Sequence, residues 1–132
     1  MIDAETKIFN RVHSVVAPLC AKNKFVSTVI SKTPTAFPAA SLMEKSNTTI
    51  RNRQSNRTGE NYVRVMYQLE VYATTKAKCK SVYAAADEAM LNMNFVRLSG
   101  TFMDNADNTK VFRFVARYEA DIDRFGNMYR PG

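Results

Sequence analysis

The chain has 132 residues, of which 45% are hydrophobic, 23% charged and 11% aromatic, a composition typical of a globular domain. This length predicts one domain, because such a chain can bury more than about 60% of its unfolded surface in a core of its own. The 19 Lys and Arg exceed the 12 Asp and Glu, which gives a net charge of +7 and favours an anionic partner without indicating a fold. No apolar run approaches the roughly 20 residues of a membrane-spanning helix.

The first residues and the cysteines indicate the cellular compartment in which the protein folds. Asp3 and Glu5 stand where a secretion signal would carry basic residues, so we expect a protein that folds in a cytoplasm. Cys20 and Cys79 form no paired motif, and we expect both to remain reduced thiols rather than to form a disulfide.

The first third of the chain predicts one helix and two short strands. Between residues 3 and 19, apolar side chains recur at helical spacing at Ile8, Val12, Val15, Val16 and Leu19. Asp3 is the expected N-cap, and Pro18 is expected to end the helix near residue 17. Residues 25–30 and 39–44 are predicted to be extended, because the prolines between them prevent helix formation.

Residues 46–61 are predicted to form a long exposed loop. Ile50 is their only sizeable apolar residue, while Arg51, Arg53 and Arg57 make the segment basic. So little apolar surface cannot offset the entropy lost on ordering. Loops of this length inside a compact domain are usually functional or disordered.

The clearest strand and helix signals follow this loop. From Tyr62 to Ala73, apolar residues alternate with Arg64, Gln68 and Glu70, which predicts a long half-buried strand. Thr74 and Thr75 are expected to cap a second helix over residues 76–94. Its core-facing residues are predicted to be Cys79, Val82, Tyr83, Ala86, Met90 and Met93.

The last third predicts a hairpin of residues 95–103 and 111–122, joined by the polar turn 104–108. Residues 125–132 show no periodicity and are predicted to be a tail. The element order indicates an α+β domain over residues 1–124. It is expected to have an antiparallel sheet, two helices packed on one face and a long polar loop between strands.

Signatures of enzymes and metal proteins are missing from the sequence. His13 is the single histidine, and no nucleophile motif accompanies it, so we read it as a structural or surface residue. Two cysteines and one histidine do not make a zinc site. Asp104 and Asp107 lack the downstream acid of a calcium loop and are more typical of a hairpin turn. We therefore expect no catalytic residue, metal or cofactor.

Basic and aromatic residues suggest two kinds of partner. Lys45 and the loop arginines, together with Arg64, Arg97, Arg113 and Arg117 on strands, could neutralise phosphates, act as solvated charges or contact acidic subunits. Phe112, Phe114 and Tyr118 share an apolar register, which favours a core over a base-stacking platform. Tyr62, Met66 and Tyr72 place apolar bulk on the polar side of their strand, a mixture typical of protein interfaces.

The sequence resembles the tail terminator, or tail-completion, proteins of long-tailed bacteriophages over residues 2–123. The resemblance rests on the N-terminal amphipathic helix, the Phe37-Pro38 entry into an extended segment and the run YQLEVYATT at residues 67–75 leading into a helix. The final hairpin, ending in VFRFVARYEADI at residues 111–122, completes it. Fold likeness does not by itself establish function.

The resemblance implies a non-enzymatic virion protein that forms a homohexameric ring on the head-proximal end of the tail tube. It would stop tube polymerisation and join the tail to the head, with the tube protein and a neck or connector protein as partners. Contact with passing DNA would be nonspecific. The alternative is a small basic nucleic-acid-binding module. The residues predicted from the sequence to lie at protein interfaces are Lys45, Arg51, Arg53, Arg57, Tyr62, Arg64, Met66, Tyr72, Asp104, Asp107, Arg113 and Arg117.

Overall fold

The computed structural model describes residues 3–27, 36–50, 62–103 and 111–131. Helix α1 spans Glu5–Val16 and is followed by a short 3-10 helix, Ala17–Leu19, while helix α2 spans Lys76–Asn92. The strands are β1 (Phe25–Val26), β2 (Ala39–Thr49), β3 (Tyr62–Ala73), β4 (Val96–Met103), β5 (Phe112–Asp123) and β6 (Met128–Tyr129).

The strands form one curled sheet in the order β1-β2-β3-β5-β4, and β6 pairs with β5. Every pair is antiparallel except β1 and β2, which run parallel. The sheet is therefore mixed and curls into a half-barrel, and the expectation of a purely antiparallel sheet was wrong. A parallel pair needs a crossover of about a dozen residues, and residues 27–38 supply that length between β1 and β2.

Strand β2 is longer than predicted. It continues to Thr49, so the predicted loop begins after the strand and not at Ser46. Ser46 pairs with Met66 and Thr49 with Val63, after a register irregularity at Lys45. The neighbouring strand supplies the hydrogen bonds that stabilise these polar residues, and a single-sequence pattern does not reveal such a partner. The rest of the predicted loop, residues 51–61, lies outside the described residues.

Both helices pack on one side of the sheet, as predicted. Helix α1 contributes Ile8, Val12 and Val16 to the core, at a spacing of one residue per turn on one face. Each such buried side chain contributes about 1.5–3 kcal/mol relative to an exposed one. Val15 and Leu19, which were also assigned to this face, are instead exposed.

Residues close to each end of α1 determine where the helix begins and ends. The helix ends at Val16, and Pro18 lies in the short 3-10 helix, so the prediction that the proline would end α1 is confirmed. The N-cap is Ala4 rather than Asp3. The Asp3 carboxylate nevertheless accepts a hydrogen bond from the Glu5 backbone N–H at 3.0 Å, which satisfies one of the free donors of the first turn.

Helix α2 runs over the centre of the sheet. Its buried residues Cys79, Val82, Ala86 and Met90 face the core, where the aromatic rings of Tyr67 and Tyr118 are also fully buried. Phe114 is buried in the same cluster and Phe112 packs against it. The predicted core role of the β5 aromatics is thereby confirmed.

The C-terminal segment is not an aperiodic tail. Met128 pairs with Ile122 and Tyr129 with Asp121, which makes β6 a short partner of β5. A turn containing Gly126, whose φ is +83°, brings the chain back toward β5. The backbone N–H groups of Phe125 and Asn127 donate hydrogen bonds to the Asp123 carboxylate and stabilise this turn. These bonds depend on spacing within the fold rather than on hydrophobic periodicity.

Candidate protein-interaction face

The side of the sheet opposite the helices is termed the open face. Alternate residues of β3 project onto it, and the register of the sheet sets each beside a residue of β5. On β3 these residues are Tyr62, Arg64, Met66, Gln68, Glu70 and Tyr72. On β5 they are Arg113, Val115, Arg117, Glu119, Asp121 and Asp123. The pleat of two neighbouring strands thus brings six of the predicted interface residues onto one surface.

Arg64 is held by an ion pair on this face. Its Nε lies 2.8 Å from Oδ1 of Asp121 and its Nη2 lies 3.2 Å from Oδ2, a two-pronged geometry. Arg64 and Asp121 are direct cross-strand neighbours, and the Asp121 side chain is fully buried. The hydrogen bond to Asp121 raises the pKa of Arg64 above its usual value. The Arg64 charge is therefore neutralised by a carboxylate of the same subunit.

The other two open-face arginines are also engaged. Arg113 donates two hydrogen bonds to one oxygen of Glu70, the first from Nε at 2.9 Å and the second from Nη2. Arg117 donates from Nε to the Gln68 side-chain oxygen at 3.1 Å. Two of the three guanidinium charges on this face are thus opposed by carboxylates. The open face is consequently a mixed polar surface rather than an array of free cations.

An open groove of about 600 Å³ lies at one end of this face. It is bounded by the last residues of β2, by β3 and by one residue of β5. The lining residues are Ser46, Thr48, Thr49, Ile50, Arg64, Met66 and Glu119. The groove combines hydroxyl groups, a methionine and an ion-paired arginine, a composition suited to a protein segment.

The two predicted aromatic contact residues have different environments. Tyr62 is half-buried and its ring centroid lies 6.1 Å from that of Tyr129. Tyr72 is only 5% exposed and packs with Ala39 and Val111 in a small second core. The ring of Tyr72 therefore stabilises the subunit itself, whereas Tyr62 borders the accessible part of the open face.

Of the remaining predicted interface residues, one lies on the sheet and the others lie outside the described residues. Lys45 is exposed at the irregularity of β2. Arg51, Arg53, Arg57, Asp104 and Asp107 lie outside the described residues.

The attachment points of these segments are nevertheless fixed. Residues 51–61 join Ile50 to Tyr62, whose backbones are hydrogen-bonded at 3.0 Å. Residues 104–110 join Met103 to Val111. Thr49 pairs with Val63 and Tyr62 with Asp123, whereas Met103 pairs with Arg113. The two segments therefore leave the sheet at opposite ends.

The sequence placed Glu70 on the polar side of β3, but Glu70, Glu119 and Asp121 were not predicted to be interface residues. Their alternation with the buried residues of β3 and β5 was visible. Their pairing with specific arginines depends on the register of two strands separated by a helix and another strand. Period-two patterning indicates a shared face but not which residues are neighbours.

The histidine and the two cysteines have different environments. His13 is exposed on α1, with its ring centroid 5.7 Å from that of Phe25. Cys20 and Cys79 are free thiols, and burial raises the pKa of each to about 11. Across the described ranges, no three His, Cys, Asp or Glu side chains are grouped as a metal site would require.

Among the described residues, neither helix is both long enough and apolar enough to cross a membrane.

Comparisons with known proteins give a likeness in fold. No family model matches the sequence, and no curated protein matches it either. Among solved structures, a chain of the virion of a native gene transfer agent particle matches with a TM-score of 0.65 and 16% sequence identity. The match covers 90% of this chain and 93% of that chain. The two chains therefore share a fold over almost their entire lengths.

Proposed function

We propose that this chain is a non-enzymatic structural subunit of a phage-like virion. In this role it forms a ring, a hexamer in the family it resembles, on the head-proximal end of the tail tube. The ring ends tube polymerisation and joins the tail to the neck of the head. The observation that carries the proposal is the fold shared with a chain of a gene transfer agent virion across 90% of this chain.

The open face supports assembly with other chains. Tyr62, Met66 and the arginines form a surface of the composition found in protein interfaces. Both helices pack on the other side of the sheet, and the described residues place no third layer over the groove beside Met66. A neighbouring subunit that packs on this face would bury the groove and the exposed edges of the ion pairs.

The points at which the two undescribed segments join the sheet also fit a terminating ring. Closed rotational symmetry lets each subunit contact its neighbours without continuing the polymer, and the two axial surfaces of the ring differ. The described residues that flank the rest of the predicted loop 46–61 and the predicted turn 104–108 lie at opposite ends of the sheet. In the proposed ring, one segment contacts the tail tube and the other the neck or connector protein.

Imaging of assembled particles tests the proposed position. Particles purified from cells that encode an epitope-tagged chain are to be examined by electron microscopy with a tag-specific label. We expect label at the tail-to-head junction, and we expect particles without the chain to have unjoined tails. Label along the tube, on the capsid or at the distal tail tip would contradict the proposal.

A small nucleic-acid-binding module is the second candidate function. The net charge of +7 favours it. Three arginines of the set first assigned to phosphate contact, Arg64, Arg97 and Arg113, are instead ion-paired with carboxylates of the same chain. A protein that stays monomeric, binds DNA in a salt-dependent manner and is missing from purified particles would favour this second function.

A further inference from the structure

Five lysines lie at one end of the sheet and are termed the lysine end. Lys22 and Lys24 belong to the turn before β1, and Lys76, Lys78 and Lys80 occupy the first turns of α2. All are exposed except Lys24, which is half-buried. The sequence placed its candidate cations for an anionic partner on the long loop and on the strands, and it did not bring these two groups of lysines together.

Backbone contacts place both groups at the same end. The Ala21 N–H donates to the Pro38 carbonyl at 2.8 Å and the Ala40 N–H donates to the Lys24 carbonyl at 2.9 Å, so the turn lies beside the start of β2. Ala40 is paired with Val71 near the end of β3. The thiol of Cys79, one turn after Lys76, lies 3.6 Å from the Val71 carbonyl oxygen. The turn and the start of α2 therefore flank the same few residues of β2 and β3.

The charge of the lysine end is uncompensated within the described residues. None of the five ammonium groups forms an ion pair with a described carboxylate. The Lys76 Nζ instead lies 5.5 Å from the ring centroid of Phe102 and 5.7 Å from that of Phe112. On β3 the acid closest to this end is Glu70, which projects onto the open face and is paired with Arg113.

The chemistry of the lysine end differs from that of the open face. Lysine is depleted in protein interfaces, where Tyr, Met and Arg are enriched. Its ammonium group is a compact charge on a flexible stem, which suits phosphates at variable positions more than a fixed partner geometry. The amino terminus of α2 adds a partial positive charge to the same region.

We propose that the lysine end binds the phosphate backbone of double-stranded DNA without base specificity. The five lysines make point-charge contacts with phosphates, and release of condensed counterions drives the association. Contacts to phosphates carry no direct sequence information, so the affinity is independent of the base sequence. The proposal does not depend on the ring, because it concerns a surface of the single subunit.

Replacement of the three helical lysines tests the proposal. The variant Lys76→Gln/Lys78→Gln/Lys80→Gln removes three charges and keeps polar side chains of similar helix propensity. Binding to a short labelled DNA duplex of mixed sequence is to be measured by fluorescence anisotropy over a series of salt concentrations. We expect the slope of log affinity against log salt to fall by about 3, since each phosphate contact contributes about 0.9.

The matched control removes the same charge elsewhere. Arg11, Arg124 and Arg130 are exposed and lie outside the lysine end, so their triple replacement by Gln lowers the net charge equally. We expect this control to retain most of the salt dependence of the wild-type protein. Circular dichroism checks that both variants are folded.

Three outcomes would overturn the proposal. An equal loss of affinity in the two triple variants would mean that only net charge matters. No measurable affinity of the wild-type protein for the duplex at low salt would exclude a DNA surface. Tighter binding to polyglutamate than to the duplex would identify the partner as an acidic protein surface. None of these results changes the expected position of the chain in the particle, so the two proposals fail independently.

Discussion

Asp123 illustrates how one residue organises the end of the chain. Its carboxylate accepts hydrogen bonds from the backbone N–H groups of Phe125 and Asn127, both at 2.9 Å. It also accepts from the Asn127 side chain at 3.1 Å and from the Tyr129 hydroxyl at 3.0 Å. Burial acts to raise the pKa of Asp123, but these hydrogen bonds outweigh burial and hold the pKa below its usual value. The charged carboxylate thus stabilises the turn that leads into β6.

Asp123→Asn is expected to lower the free energy of unfolding by about 1–3 kcal/mol at neutral pH, because it removes charge-assisted hydrogen bonds. A carboxyl whose pKa is depressed on folding stabilises the fold above its unfolded pKa of about 3.9, and this contribution disappears as the pH falls through the folded pKa. The difference between the variant and the wild type should therefore shrink in acid. Urea unfolding at neutral pH and in acid measures both values.

Glu88→Gln is the matched control for Asp123→Asn, since Glu88 is exposed on α2. We expect its free energy of unfolding to stay within about 0.5 kcal/mol of the wild type at neutral pH. An Asp123→Asn deficit of the same size in acid and at neutral pH would show that packing, and not the ionised carboxylate, stabilises the turn.

Among the elements, α2 has the most clearly defined start. Thr75 has an extended backbone, and its hydroxyl oxygen accepts a hydrogen bond from the Lys78 N–H at 3.2 Å. The prediction that Thr75 caps this helix is thus confirmed. Thr74, which was also considered as a cap, precedes it and makes no such contact in the part of the chain that the structure describes.

Thr75→Ala is expected to lower the free energy of unfolding by about 1 kcal/mol, because the Lys78 N–H loses its acceptor. Thr74→Ala should change it by less than about 0.5 kcal/mol, since both residues are exposed and only Thr75 caps the helix. Thermal unfolding of the two variants provides the comparison. Equal effects at the two positions would contradict the assigned cap.

The strands differ in how far local pattern predicts them. Strand β3 has the predicted bounds, Tyr62–Ala73, because its alternation of apolar and polar residues reflects one buried side. The second half of β2 and all of β6 were missed. The second half of β2 is largely polar, and β6 has only two residues. Hydrogen bonds to β3 and β5, rather than burial of their own side chains, order these segments.

At the scale of the whole molecule, the two sides of the sheet have different roles in the proposed ring. The helix side holds the core, whereas the open face is the proposed contact surface. Met66 is half-buried and lines the groove on the open face. Leu91 is 39% exposed on α2, on the other side. These two apolar residues offer a direct comparison of the two sides.

Met66→Asp is expected to prevent incorporation of the chain into particles, because a carboxylate beside Glu119 opposes burial of the groove by a neighbouring subunit. Leu91→Asp introduces the same charge on the helix side and should leave incorporation near the wild-type level. Immunoblots of purified particles measure incorporation, and circular dichroism checks folding. Equal incorporation of both variants would contradict the proposal that a neighbouring subunit packs on the open face.

The sequence by itself determined the α+β class, the positions of the two helices, β3 and the final hairpin, and the mixed character of one sheet face. These features follow from periodicity, capping and turn chemistry, which are local. Only the tertiary structure decided that β1 is parallel to β2, that Arg64 and Arg113 are paired with buried carboxylates, and that five lysines share one end. Strand register and the juxtaposition of distant segments set these neighbours, and neither is encoded within a short stretch of chain.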